Sequence, residues 1–198
     1  MAKKRLPAAE RKKQILKCAV KVFAGSNYYN TKMLDIATEA GISEAIIYKH
    51  FTSKKEIFLL VLKHMSDRIL TFAKKEIDPA KSPLEKLEWF LLGYYLRMIR
   101  HPDELKVQFM AISGIDDKDV LTRLRTDHQN YIKIFSALIQ AGISQGEIRK
   151  DVDVEALALA YNGYGIMFNM MRLLGFKQKL NKKTVVSIID HYIESIKV

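Results

Sequence analysis

Residues 31–56 read Thr-Lys-Met-Leu-Asp-Ile-Ala-Thr-Glu-Ala-Gly-Ile-Ser-Glu-Ala-Ile-Ile-Tyr-Lys-His-Phe-Thr-Ser-Lys-Lys-Glu, and their spacing predicts two short helices around a tight turn. The first is expected to start at Thr31, whose hydroxyl can cap free N–H groups, and to carry Met33, Ile36, Ala37 and Ala40 along one apolar face. Gly41 should end it, because glycine accepts the left-handed conformation that helix stops commonly need. Ser43 then stands where it can cap a second helix running to about His50. Helix, glycine turn and helix is the arrangement that lays a second helix in the major groove of DNA.

The charge distribution points the same way. Of a net charge of +11, residues 1–55 carry twelve Lys or Arg against four Asp or Glu, whereas the remaining 143 residues hold 21 against 18. A basic segment of this kind suits double-stranded DNA, since each neutralised phosphate releases condensed counterions. An anionic membrane surface could also attract Lys3, Lys4, Arg5, Arg11, Lys12 and Lys13, but the neighbouring helix-turn-helix pattern favours DNA. Those residues are read as a flexible arm or as a solvated tail.

With 198 residues, 48% of them hydrophobic, the chain can bury a sizeable core. No apolar run reaches the ~18 residues of a membrane span, and the N-terminus lacks the apolar stretch of a secretion signal, so a cytoplasmic protein is expected. The single cysteine, Cys18, lies on the apolar side of a predicted helix and reads as a small buried hydrophobe. Phosphate loops, nucleophile elbows, paired cysteines and His-Glu-x-x-His are all missing, and His50, His64, His101, His128 and His191 lack ligand spacing. Neither catalysis, metal nor cofactor is expected.

Scarce glycine and proline predict an all-α chain of about nine helices: an N-terminal three-helix domain, residues 1–52, and a larger helical domain, residues 53–198. Helix one spans about Ala8 to Ala24. Ser53-Lys54-Lys55-Glu56 reads as a capping box opening helix four, which runs to about Ile77, and Ser82-Pro83-Leu84-Glu85 as another opening helix five, which ends near Arg100. Helix six begins at Pro102 and stops near Gly114, helix seven covers about Asp117 to Ala141, helix eight about Asp153 to Leu174, and helix nine about Lys183 to Ile196.

The stretches Phe23 to Thr31, Asp35-Ile36-Ala37, Ala40-Gly41-Ile42-Ser43, Ile47-Tyr48-Lys49-His50-Phe51 and Ser53 to Glu56 resemble the N-terminal domain of TetR/AcrR-type transcriptional repressors over about residues 8–58. Asn27 departs from the glycine usual there, and asparagine is a good substitute in left-handed geometry. Ala45 and Ile46 stand where small or hydroxyl residues are frequent, leaving fewer side-chain hydrogen bonds for bases.

The resemblance implies phosphate contacts by Thr31, Lys32, Tyr48, His50 and Lys54, with Ser43, Glu44, Ala45 and Lys49 among the DNA-facing residues of the second helix. It also implies a homodimer on a palindromic operator and a second domain that binds a small apolar or amphipathic inducer. Tyr94, Tyr95, Met98, Phe109, Met110, Phe135, Tyr164 and Phe168 are the candidate pocket residues, with Arg97, Gln108, Asn130 and Asn169 as possible orienting groups. A filled core is the alternative reading of these aromatics. Pairing of copies is expected through helix eight, with Ala156, Ala160, Gly163, Met167 and Met170 on one stripe and Leu157, Tyr161, Tyr164, Phe168 and Met171 on the next. Helix nine would add Val186, Ile189, Tyr192, Ile193 and Ile196, completing a four-helix interface, although the stripes could also be intrachain core. A DNA-binding regulator controlled by a protein partner or by abundance, with no small ligand, stays open beside the inducer reading.

Overall fold

The computed structural model describes residues 6–76, 78–113 and 116–198. Lys3, Lys4 and Arg5 of the basic arm, and the helix stops expected at Ile77 and Gly114, lie outside the described residues. Nine α-helices and no named β-strand are present among the described residues: α1 (Ala8–Gly25), α2 (Met33–Ala40), α3 (Glu44–Tyr48), α4 (Lys54–Thr71), α5 (Pro83–Met98), α6 (Pro102–Ser113), α7 (Lys118–Ser144), α8 (Val154–Leu173) and α9 (Lys182–Ile196). A single π-helical turn, Phe72–Glu76, follows α4.

The chain divides into two compact units, residues 1–65 with 103–124, and residues 66–102 with 125–198. In the first, Ile15, Ala19 and Phe23 of α1, Ile36 and Ala37 of α2, Ile47 of α3, and Ile57, Phe58 and Val61 of α4 are buried together. Phe58 meets Phe23 edge-on at 5.0 Å between ring centroids. Three short helices alone bury little surface, and small domains are correspondingly marginal. Here Val107 and Ala111 of α6 and Val120 and Leu124 of α7 enlarge the same core.

Helix ends follow the expected chemistry with two differences. The left-handed Gly41 (φ 64°) closes α2, with its N–H donating to Ala37 and Thr38. α2 begins at Met33 rather than at Thr31, because the Asp35 carboxylate accepts from the Lys32 N–H at 2.7 Å and fixes Lys32 as the cap position. At α4, Ser53 Oγ accepts from the Glu56 N–H at 3.1 Å, but Glu56 returns to the Thr52 N–H (2.6 Å) and hydroxyl (2.8 Å), not to Ser53. These donors hold the Glu56 carboxyl below its usual range. Both halves of the box at Ser82 and Glu85 are formed.

The second unit is built from α5, α8, α9 and most of α7 around an aromatic interior. Phe135 packs 5.0 Å from Phe90 and 4.5 Å from Tyr161, and Tyr161 lies 5.5 Å from Tyr192. Its buried tyrosines satisfy their hydroxyls on backbone carbonyls: Tyr161 on Leu87, Tyr95 on Leu180 at 2.7 Å, and Tyr192 on Leu157 at 3.2 Å.

The expected pairing stripes are sorted by burial. Ile189, Tyr192, Ile193 and Ile196 of α9 are buried within the chain, whereas Lys183, Ser187, Asp190, His191 and Glu194 are exposed. Ile189, Tyr192, Ile193 and Ile196 thus pack within the chain, and Val186 of the same stripe stays half-buried. On α8, Tyr161 and Phe168 face inward, while Ala156, Ala160 and Met170 of the small-residue stripe are exposed together with Leu159, Ile166 and Leu173.

Candidate nucleic-acid interface

α3 is anchored by one fully buried side chain, Ile47, and its opposite side is open. Ser43, Ala45, Tyr48 and Lys49 are exposed, with Tyr48 at 53%, and Glu44 and His50 are half-buried. Ser43 occupies the N-cap position without a side-chain bond to the helix, which leaves its hydroxyl available. Lys32, at the cap of α2, is exposed. Seven of the nine expected DNA-facing residues are thus collected along α3 and the two helix starts, with five of them well exposed. Ammonium, hydroxyl and phenol donors together can hold phosphate oxygens, while Glu44, Ala45 and Lys49 offer an acceptor, a methyl and a donor for base edges.

The other two are placed differently. Thr31 is 1% exposed, and its hydroxyl donates to the Asn27 carbonyl at 2.6 Å while lying 2.8 Å from Ser26 Oγ. The Thr31 hydroxyl is thus bonded inside the loop rather than presented at the surface. Lys54 is turned toward the same loop, its Nζ donating to the carbonyls of Tyr28, Tyr29 and Thr31. No spacing in the sequence signals this arrangement, because its acceptors are main-chain atoms.

The motif is braced on both sides. Gln14 of α1 donates through Nε2 to the Ala40 carbonyl at 3.0 Å, and Lys21 pairs with Glu39 at 3.0 Å, so α1 holds the C-terminal end of α2. The Tyr28 N–H donates to Met110 Sδ at 3.1 Å, and the Tyr29 hydroxyl accepts from the Asp116 N–H at 3.3 Å.

Residues 15–61, from the middle of α1 to the first half of α4, match the model of bacterial regulatory proteins of the tetR family. The HTH-type transcriptional repressor KstR2 of Mycolicibacterium smegmatis is 26% identical over 147 residues, spanning 74% of this chain and 72% of that protein. The tetR-family likeness thus lies in the helix-turn-helix segment. A TetR-like transcriptional regulator from Rhodococcus sp. RHA1 superimposes with a TM-score of 0.77 at 23% identity, over 96% of this chain and 97% of that one. The regulator FadR from Bacillus subtilis, crystallised with stearoyl-CoA, does so with a TM-score of 0.76 at 18% identity, over 92% and 95%. All three carry the description of transcriptional repressor or regulator. No helix among the described residues is long and apolar enough to cross a membrane.

The eight expected pocket residues are divided. Tyr94, Tyr95, Met98, Phe135, Tyr164 and Phe168 belong to the second unit, whereas Phe109 and Met110 belong to α6 in the first, where Met110 packs against the core. Tyr95, Met98, Phe135 and Phe168 are buried. Tyr94 accepts from Asn169 Nδ2 at 2.7 Å, and burial pushes its phenol up to about 12. Arg97 lies 3.8 Å over the Phe72 ring and donates to the Gly93 carbonyl at 3.3 Å. Phe90, at the centre of the aromatic group, was not singled out by its sequence context, which is an ordinary apolar run. One turn after Asn169, Arg172 has a buried Nε without a hydrogen-bond partner.

Proposed function

We propose that this regulator reads a palindromic operator as a homodimer, acts as a repressor, and is released by a small, largely apolar or amphipathic ligand. The observation that carries the DNA part is the division of α3: Ile47 is wholly buried while Ser43, Ala45, Tyr48 and Lys49 stand exposed beside the exposed Lys32. One motif of this size buries too little DNA for specific affinity, so two symmetric copies are required. The outward apolar stripe of α8, with Leu159 at 51% and Met170 at 44% exposed, supports pairing through that helix.

The ligand reading rests on the aromatic interior of the second unit and its Tyr94–Asn169 hydrogen bond, a polar pair in apolar surroundings that can orient one end of a ligand. The stearoyl-CoA bound by the Bacillus subtilis regulator makes a fatty-acyl chain the first class to try. Whatever the ligand, linkage requires that if it lowers operator affinity, operator lowers its affinity by the same factor.

Selection of genomic fragments by the purified protein at ~150 mM salt, which suppresses nonspecific binding, tests the reading. A palindrome is expected, and loss of its binding on adding a long-chain acyl-CoA is expected next. Enrichment of no sequence counts against operator recognition. A palindrome released by none of the acyl-CoAs, with no compound stabilising the protein to heat, favours the regulator without a small ligand.

A further inference from the structure

Lys54 opens α4, where the helix dipole disfavours a cation. Its ammonium is nevertheless held there by three acceptors: the carbonyls of Tyr28 at 2.6 Å, Thr31 at 2.7 Å and Tyr29 at 3.1 Å. The Tyr28 ring completes the cradle, with its centroid 4.6 Å from Nζ. An ammonium carries three donors, so its hydrogen-bonding capacity is fully used inside the protein. Partial burial lowers its pKa, which also marks an environment less favourable to the cation than water.

The three carbonyls belong to the loop that delivers α2. Within that loop Asn27 Oδ1 accepts from the Asn30 N–H at 2.8 Å, the Thr31 hydroxyl bonds back to Asn27 at 2.6 Å, and Lys32 is the cap of α2. Reaching a phosphate would require Lys54 to give up bonds that fix the start of the first helix of the motif. We infer that Lys54 is a positioning residue for DNA recognition, tying the 28–31 loop to α4 so that α2 and α3 are presented in a fixed orientation, and that it makes no phosphate contact. This rests on the DNA-binding reading above and changes the role of one residue within it.

The two roles differ in salt dependence. Removing a phosphate contact lowers the slope of log affinity against log salt by about 0.9, whereas a mispositioned motif loses affinity while the phosphate charges are retained. With the selected palindrome as probe, Lys54→Ala is expected to lose tenfold or more in affinity at every salt concentration with the slope unchanged, while Lys32→Ala lowers the slope. Lys54→Arg keeps the charge but spreads its donors in a plane that cannot converge on three carbonyls, so it is expected to fail as well. Amide hydrogen exchange over residues 28–35 should accelerate in both Lys54 variants without DNA. A slope reduced by about 0.9 in Lys54→Ala, affinity restored by Lys54→Arg, or exchange unchanged in both would overturn the assignment. Should the variants fail to fold, the Lys54 Nζ resonance of the wild-type chain decides: no shift on adding duplex supports the internal role, and a shift toward a phosphate-bound environment refutes it. Failure of the wild-type protein to select any duplex would count against operator binding, and the exchange result would still stand on its own.

Discussion

The ammonium of Lys55, one residue into α4, lies 2.8 Å from the carboxylate of Asp117 just ahead of α7, and 2.5 Å from that of Asp119. The two carboxylates raise the Lys55 pKa far above the ordinary range, and the Lys55 ammonium in turn holds Asp117 below its own. Solvent reaches all three groups, so their effect on stability is small. The sign is nonetheless defined. The depressed carboxyl of Asp117 stabilises the fold above the ordinary carboxylate value, and that contribution disappears as pH falls through the lowered one.

A larger effect is expected on DNA. Asp117 and Asp119 neutralise a cation beside the recognition motif, so replacing both with asparagine frees Lys55 for phosphate. The double variant should bind nonspecific duplex more tightly and steepen its salt slope by up to about 0.9. Fluorescence anisotropy between ~50 and ~300 mM salt checks this, conditions over which counterion release is measurable. An unchanged slope would show that Lys55 faces no phosphate.

Lys49 and Tyr48 should separate base reading from phosphate holding. Both are exposed on or directly after α3. Lys49→Ala is expected to cost ~1–3 kcal/mol on the cognate palindrome and less on altered sequences, whereas Tyr48→Phe should weaken all duplexes alike. Competition binding against singly substituted palindromes distinguishes these outcomes. Uniform weakening by Lys49→Ala would move that residue to the phosphate-holding set.

Much of this was legible in the chain, for identifiable reasons. The all-helical class followed from apolar periodicity and scarce breakers, and Gly41 and Ser82 marked their helix ends because a left-handed stop and a reciprocal cap each demand particular residue types. Thr31 was misplaced because a hydroxyl before an apolar run reads as a cap, and nothing local shows that Asp35 will cap Lys32 instead. The stripes of α8 and α9 have the same period, and periodicity cannot say whether an apolar face meets its own chain or another. Tertiary packing assigned one to the interior and left the other exposed.

The exposed stripe makes pairing through α8 a test of surface chemistry rather than of folding. Ala160 is exposed in the single chain, so Ala160→Glu should leave the thermal transition nearly unchanged while producing a monomer by light scattering at micromolar concentration. A dimer persisting in both Ala160→Glu and Leu159→Glu would place the interface elsewhere.

Gly93 supplies a contrasting case in the interior. A methyl built there would overlap the ring of Phe72, which is fixed by stacking on Phe90 at 5.5 Å and by Arg97 on its other contacts. Gly93→Ala should destabilise the protein by ~1–3 kcal/mol, the usual cost of overpacking. Adding Phe72→Leu should recover part of that loss, because the two sites are in contact and their effects are coupled. Strictly additive losses in denaturant midpoints would mean that the ring moves aside freely.

Asn27 is the one non-glycine residue with a positive φ among the described residues, at 139°. That value lies well away from the left-handed helical well, and such backbone conformations cost about 1–3 kcal/mol for residues other than glycine. Asparagine offsets part of the cost through Oδ1, which accepts from the Asn30 N–H at 2.8 Å and stiffens the loop whose carbonyls hold Lys54. Asn27→Ala keeps the strain and removes the bond, so a loss of ~1–3 kcal/mol is expected. Asn27→Gly removes both, and relief of strain against the lost bond and the greater freedom of the unfolded chain should leave it within ~1 kcal/mol of wild type. Urea midpoints of the two variants, read with amide exchange at residues 28–31, check the account. Equal stability for Asn27→Ala and the wild type would show that neither the positive φ nor the side-chain bond matters to the fold.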